Sequence, residues 1–357
     1  MNKQLRVVII GGGIGGAASA IALQNEGIPA EIYEQAKAIK EVGAAIVLRP
    51  ATMRLFKKWG IYDEIVHKSV HSEFMEIRTE KGDIVQKERW PLITENPDEN
   101  WAELIHRADL LDTLLAQIPS DSIHLNHKCE SIIEHENDVE VRFLNGTSVY
   151  ADLVIAADGI HSVARKMFSD DEPVFAREHT YRAIVNREEV LDLISDDTAI
   201  TLYQGDKTHV LLLPVRPGAA QFSVDVIVPS EDSSWRLKVE KEEILEYLKD
   251  FSPKIQELIN NIESTIDARA IHDRKPIECW TSNYITLLGD AAHATQPNQG
   301  LGGNMAIEDA DALVEALREA TTIPEALKKY EAHRKPITSK IQNLSRQDQV
   351  LDFSLKS

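Results

Sequence analysis

The sequence predicts an α/β fold: helices packed on a parallel sheet, an antiparallel sheet inserted into it, and long helices at the end. Three observations carry this. Residues 6–10 are a β-branched run that passes into a glycine cluster and then into helical periodicity. Residues 152–156 and 284–288 are two further apolar runs, each followed by an aspartate beside a glycine. Between those runs, residues 174–228 change texture and strands dominate. An uninterrupted apolar strand is one buried on both faces, as parallel strands covered on both sides are, whereas alternation marks a half-solvated sheet.

The first unit is β-turn-α-β. After the glycines, residues 17–25 carry apolar side chains at helical spacing, and residues 30–34 are a second strand ending in Glu34. Residues 44–48 read as a strand. Pro50 opens a helix through Trp59, because its missing N–H is no loss at a first helical position, and Gly60 stops it. Residues 74–79 and 84–87 form a hairpin around Lys81-Gly82-Asp83, and residues 109–118 are helical. Residues 138–143 and 147–150 flank Asn145-Gly146, a pair that tolerates the positive φ a tight hairpin needs. The inserted strands are 180–186, 199–203, 209–214 and 221–228, read as one antiparallel sheet. Residues 237–262 are helical, 284–288 return as a buried strand, and 303–320 and 324–347 are long helices.

A chain of 357 residues suits two domains or one composite domain. Its 43% hydrophobic and 27% charged residues exclude a disordered chain, a fibrous repeat and a disulfide scaffold. A net charge of −19 repels phosphate backbones and anionic lipid, so neither nucleic acid nor membrane is an expected partner. Cys129 and Cys279 belong to no CxxC pair, no metal-ligand spacing is visible, and both read as reduced, buried thiols. The apolar run before the first glycine is short of a signal-peptide core, and no stretch approaches the roughly 18–20 residues of a membrane span. A cytoplasmic protein is expected.

Gly11, Gly13 and Gly16 form GxGxxG between strand and helix, with Ile14 and Gly15 inside it. The first glycine permits the turn, the second lets a pyrophosphate approach the backbone N–H groups, and the third lets helix and strand pack. Glu34, about 20 residues on, is placed to accept hydrogen bonds from a ribose diol and repels a 2′-phosphate, so the nucleotide is NAD or FAD. A second motif is Gly289-Asp290 after a buried strand, where Asp290 can hold a polyol hydroxyl. Pro297, Gly300, Gly302 and Gly303 then make a loop of bare backbone leading into a helix that begins near Asn304, with Glu308 and Asp309 in its first turns. Such an N-terminus favours negative charge, which a reduced flavin carries. A third motif, Asp158-Gly159, is followed by a helix with Ser162 near its start and by Arg165.

In this order, and over nearly the whole chain, the three motifs resemble the class A flavoprotein monooxygenases, which have the fold of para-hydroxybenzoate hydroxylase. The resemblance implies a Rossmann-like FAD-binding domain of residues 1–72, 99–173 and 268–357, and a substrate-binding domain of residues 73–98 and 174–267. It implies that Gly11, Gly13, Ile14, Gly15, Gly16 and Glu34 hold the ADP part of FAD. Arg107 matches the arginine before a second FAD-contacting helix. Asp290 would hold the ribityl–pyrophosphate region, the loop of Pro297, Gly300, Gly302 and Gly303 would face the isoalloxazine ring, and Asn304 after it would be a further cofactor-binding residue. Asp158 and Arg165 match a motif linked to FAD and NAD(P)H. The chain departs from the family's L-x-P-N-A at Leu48-Arg49-Pro50-Ala51-Thr52: the asparagine is missing, and Arg49 is added where it would face flavin or substrate. No second GxGxxG follows a strand, and the tryptophans are scattered.

The implied activity is that of a monooxygenase. NAD(P)H reduces FAD, dioxygen adds at flavin C4a to give a hydroperoxide, and its distal oxygen attacks a small aromatic or polyketide-like substrate. That substrate would lie between the flavin and the inserted sheet, where Tyr181, Arg182, Tyr203 and His209 are the candidates. A histidine or tyrosine can help deprotonate a phenol, and an arginine can bind a carboxylate or enolate. His293 is read as shaping its loop, and His67, His71 and His272 as surface or structural residues. Beyond the aromatic substrate and O2 no partner is expected, and the chain is a monomer or homodimer. Two other readings stay open: a flavin-dependent reductase or epoxidase acting on an isoprenoid, and a protein that holds FAD and sequesters a ligand without turnover.

Overall fold

The computed structural model describes residues 5–39, 44–90, 99–235, 237 and 239–346. Residues 91–98 of the expected substrate segment and Gln347, the expected end of the last helix, lie outside these. In chain order the elements are β1 (Val7–Ile10), α1 (Ile14–Asn25), β2 (Ala30–Tyr33), β3 (Ala45–Leu48), α2 (Pro50–Lys58), α3 (Tyr62–Val66), β4 (Ser69–Ser72), β5 (Phe74–Thr79), β6 (Ile84–Arg89), β7 (Ala102–His106) and α4 (Arg107–Leu115). There follow β8 (Ile123–His124), β9 (Cys129–Glu134), β10 (Val139–Phe143), β11 (Ser148–Ala151), β12 (Leu153–Ala156), β13 (Val174–Asn186), β14 (Ile200–Gln204), β15 (His209–Val215) and β16 (Gln221–Pro229). The chain closes with α5 (Lys241–Tyr247), α6 (Pro253–Asn261), β17 (Asp267–Asp273), β18 (Ile285–Leu287), α7 (Asp290–His293), α8 (Gly302–Glu319) and α9 (Ile323–Ser345).

β1 is buried along its whole length because it is the middle strand of a parallel sheet ordered β18-β12-β1-β2-β8. Its side chains alternate between two cores, as strand geometry requires. Val7 and Ile9 pack with α1, α8 and α9 through Leu23, Leu313 and Leu327. Val8 and Ile10 pack with Val139, Val141 and Phe143 of the β9-β10-β11 meander, which covers the other face. A sheet covered on both faces needs strands apolar on both faces, and that is why β1 and β12 read as unbroken runs.

The second large sheet is ordered β17-β13-β16-β15-β14-β5-β6. Its inserted strands β13, β16, β15 and β14 pair antiparallel, as expected, and β14 then pairs in parallel with β5, Ile200 opposite Met75, so the whole sheet is mixed. Hairpin turns force antiparallel neighbours, but no turn joins β5 to β14, so sequence proximity did not set their direction. β13 starts at Val174, earlier than expected, and carries an irregularity between Phe175 and His179 with Arg177 at φ 61°. The helix expected over 237–262 is broken in two. Ser252 caps α6, and a residue before proline is disfavoured in helical conformation. After Asp158 there is only a short 3-10 turn, Ala164–Met167, in place of the expected helix. Cys129 is buried, with its thiol pushed up to about 12 by desolvation, but Cys279 is exposed, contrary to expectation.

A small sheet, β3-β7-β4, joins the two halves. Val47, Leu104 and Val70 share one face and belong with the core of the mixed sheet. Leu48 and Ile105 lie on the other face, in the helical core. Among the described residues no helix is long and apolar enough to cross a membrane.

Candidate functional site

The β1–α1 turn is built from backbone contacts that only glycine allows. Gly11 has φ +101°, and a Cβ there would lie 2.4 Å from the Ala157 carbonyl oxygen. A Cβ on Gly16 would lie 1.9 Å from the Gly11 carbonyl oxygen. Gly13 differs: a Cβ there would meet nothing within 4 Å. That open space lies before the N-terminus of α1, whose first N–H groups have no intrahelical acceptor. The Glu34 carboxylate is held at the same turn, accepting the Gly12 N–H at 2.7 Å and the Ala36 N–H at 2.8 Å. Ile14 and Gly15 serve packing: Ile14 is buried, and Gly15 abuts Leu288. Open space, an unshielded helix N-terminus and a fixed carboxylate together suit the ADP part of a dinucleotide.

The second wall is the segment from β18 into α8. Asp290 is exposed at the start of α7, and Gly302 lies close to its Oδ1. Pro297 opens a 3-10 turn, Gly300 lies against Val47, and Gly303 lies against Ile46. Asn304 corrects the expectation that it faces the cofactor. Its Oδ1 accepts the Arg49 N–H at 2.9 Å and the Thr52 hydroxyl at 2.7 Å, while its Nδ2 donates to the carbonyls of Val47 and Gly300 at 2.8 and 3.1 Å. Both lone pairs and both N–H groups are thereby used. Asn304 is a clamp between the bare-backbone loop and the 47–52 turn. Arg49 is buried, its guanidinium 4.8 Å from the Trp90 ring centroid, and desolvation lowers its pKa to about 10. Arg107 begins α4, its N–H donating to the Ala44 carbonyl at 2.8 Å, and the Nδ1 of His106 caps that helix.

The third motif closes against the second. Asp158 accepts the Val163 N–H at Oδ2, while its Oδ1 is buried with no hydrogen-bond partner, and burial raises its pKa. Arg165, linked by resemblance to cofactor contacts, is 1% exposed and turned inward. It donates to Asp171 at 2.8 and 3.1 Å, to the carbonyls of Ala291 and Ala292 at 2.9 and 2.7 Å, and to that of Lys275 at 2.8 Å. It is a rivet between the 158–171 segment and α7.

The four substrate candidates divide by sheet parity, since side chains opposite one another in register share a face. Tyr181, Tyr203, Val210 and Val226 point outward, into a core with Ile244, Leu248 and Phe251 of the α5–α6 region. The Tyr203 hydroxyl donates to the Leu193 carbonyl at 2.6 Å. Tyr181 and Tyr203 are therefore corrected from pocket residues to core residues. Arg182, His209, Leu211, Ser223, Asp225 and Ile227 share the inner face, the one turned to β3, β4 and β7. Arg182 donates through Nε to Asp225 at 2.8 Å, and Ser223 donates to the same carboxylate at 2.5 Å. Asp225 was not picked out from the sequence, where nothing marks it. His209 is 7% exposed, its Nδ1 has no hydrogen-bond partner, and burial lowers its pKa. Replacing Tyr203 by Phe should cost about 1 kcal/mol in urea unfolding, from the lost hydrogen bond, and leave kcat/KM unchanged. A large loss of kcat/KM would return Tyr203 to the pocket.

Of the histidines read as surface or structural, His71 bonds Glu103 at 2.8 Å, which raises its pKa. His67 lies against the Asp63 carbonyl, and His272 lies between Phe175 and Trp235. His293 is fully buried against Asp309.

A family profile described as an FAD binding domain matches residues 4–345. The chain belongs to this family. It is a class A FAD-dependent monooxygenase, with the mixed α/β fold of the aromatic hydroxylases. It is 31% identical to a 3-amino-4-hydroxybenzoate 2-monooxygenase of Streptomyces platensis, over 96% of this chain and 87% of the relative. It is also 31% identical to an FAD-dependent urate hydroxylase of Klebsiella oxytoca, over 92% of this chain and 86% of the relative. The crystal structure of Klebsiella pneumoniae HpxO complexed with FAD and uric acid superposes with a TM-score of 0.86 at 27% identity, covering 97% of this chain and 88% of that one.

Proposed function

We propose that this monooxygenase hydroxylates a small aromatic or polyketide-like ring held between the α8 loop and the inner face of the mixed sheet. His209 and the Arg182–Asp225 pair are its polar contacts. The observation that carries this is the buried His209 imidazole, whose Nδ1 lacks a partner on the same face as Arg182 and Asp225. The named relatives act on hydroxybenzoates and urate, rings whose oxygen substituents such groups would meet. FAD, reduced by NAD(P)H, supplies the activation of O2. The chain's own residues orient the ring and move its proton. Burial keeps His209 neutral at pH 7, so it can accept the proton of a ring hydroxyl and leave the ring more electron-rich. Asp225 takes the Arg182 Nε–H and so holds the guanidinium, 23% of that side chain remaining accessible for a ring oxygen. Leu211, Leu213 and Ile227 give the same face an apolar lining that excludes water.

The test is substrate-dependent NAD(P)H oxidation by the holoenzyme across phenols, aromatic acids, purines and tetracyclines. With the substrate so found, His209→Leu should lower kcat/KM by about 100-fold while the flavin spectrum is unchanged. His209 has a folded-state pKa below its ordinary value, so activity that needs the neutral ring should persist somewhat below pH 6.5 and fall as pH drops through the lowered value. Wild-type kcat/KM in His209→Leu would remove it from the mechanism. The same reading divides the chain into cofactor segments 1–72, 99–173 and 268–357 and substrate segments 73–98 and 174–267, with β17 crossing the last junction. It also places the enzyme in the cytoplasm as a monomer or homodimer, a setting that suits the unpaired Cys129 and Cys279.

A further inference from the structure

Asp309 sits in the second turn of α8 with no exposed surface. Its Oδ2 accepts the backbone N–H of Gly289 at 3.1 Å and the ring N–H of His293, and its Oδ1 accepts the Nε–H of Arg334 at 2.7 Å. Arg334 comes from α9, is 4% exposed, and also reaches Glu308 at 3.0 Å and the Met305 carbonyl at 3.3 Å. Burial alone would raise the Asp309 pKa, but His293 and Arg334 bring it down to about 2. This carboxylate therefore stays charged and joins three pieces of chain. Gly289 immediately precedes Asp290, His293 closes α7, and Arg334 anchors α9.

The polar contacts of these pieces lie on one side of the cofactor site, while α8 packs on α1 through apolar contacts such as Ala306 beside Gly15. Five to seven residues before Asp309, α8 presents Gly302, Gly303 and the Asn304 clamp on the 47–52 turn. The Gly11–Gly16 turn and Glu34 make no bond to Asp309, His293 or Arg334 among the described contacts. We propose that Asp309, held by Arg334, is a positioning residue that fixes Asp290 relative to the N-terminus of α8 and so grips the ribityl–isoalloxazine half of FAD far more than the ADP half, to which it has no polar link. This rests on the assignment of Asp290 and the α8 loop to that half of the cofactor.

The test compares FAD and ADP binding to apoenzyme by calorimetry. Asp309→Asn should weaken FAD by about tenfold or more and leave ADP within about twofold. Arg334→Lys, which keeps the charge, should recover part of the FAD affinity. The visible bands of the bound flavin should also shift in Asp309→Asn, since the ring would sit in a changed field. Breaking a buried ion pair leaves an uncompensated charge. If Asp309→Asn does not fold, the double variant Asp309→Asn/Arg334→Met, which removes both charges, carries the same comparison. Equal weakening of FAD and ADP, or no change in either, overturns the proposal. A wild-type apoenzyme that binds ADP but gains nothing from the rest of FAD overturns the assignment on which it rests.

Discussion

Gly16→Ala should yield a protein that emerges from purification without flavin colour and with lowered stability. The added methyl would sit 1.9 Å from the Gly11 carbonyl oxygen and 3.3 Å from Ile9 Cγ2. The first of these is backbone of the same turn, so no rotamer change relieves the clash. Either α1 tilts away from β1 or the turn opens. Both move the helix N-terminus that a pyrophosphate needs. Gly13→Ala separates the two effects. Its methyl meets nothing within 4 Å and its φ of −75° suits alanine, so the fold should keep its wild-type melting temperature. The methyl would nevertheless stand where the phosphates approach, and FAD affinity should fall. Absorbance of the purified proteins, followed by FAD titration, reads both. A yellow Gly16→Ala protein with wild-type melting would mean that the turn is looser than these contacts require.

The largest expected loss of stability outside that turn is at Arg165. Arg165→Ala should cost about 3–5 kcal/mol, the range for removing one partner of a buried charged network. Its guanidinium meets Asp171 and three backbone carbonyls, those of Ala291, Ala292 and Lys275. Truncation strands the Ala291 and Ala292 carbonyls away from water, and each buried orphan costs about 1–3 kcal/mol before relaxation. Arg165→Lys should recover part of the loss, since an ammonium cannot span acceptors arranged for a planar fork. Urea unfolding of the apoenzyme measures it. A change under about 1 kcal/mol would show that solvent reaches these carbonyls when the arginine is gone.

The features legible in the sequence were those that backbone sterics decide locally. The glycine turn, Glu34 at the end of β2 and Pro50 at the start of α2 each depend on neighbours within one unit, and each sits where its residue type demands. Direction was less legible than position. Asn304 and Arg165 lie in the right motifs, yet their side chains turn into the protein, because a motif records adjacency to a site and not where a side chain points. Tyr203 and Arg182 were equal candidates until register through β15 and β16 put them on opposite faces. Asp225 was invisible because its meaning comes from Arg182, on a strand whose paired residue is far away in sequence. The parallel pairing of β14 with β5 escaped for the same reason.

That pairing also sets a schedule. The β5–β6 hairpin leaves the ribosome about 125 residues before the strand it must join, Met75 facing Ile200. At roughly 5–20 residues per second, it waits on the order of ten seconds with an open edge. Long waits of this kind invite wrong partners, because an unpaired strand templates another chain. β6 is exposed at every residue, with Ile84 and Val85 at its start and Lys87, Glu88 and Arg89 at its end. Those charges guard the hairpin's other edge, which stays the edge of the sheet in the finished fold. Nascent chains halted before residue 200 should therefore aggregate more readily when Lys87, Glu88 and Arg89 are replaced by neutral residues, and the finished enzyme should share that tendency at the β6 edge alone, its β5 edge being covered by β14.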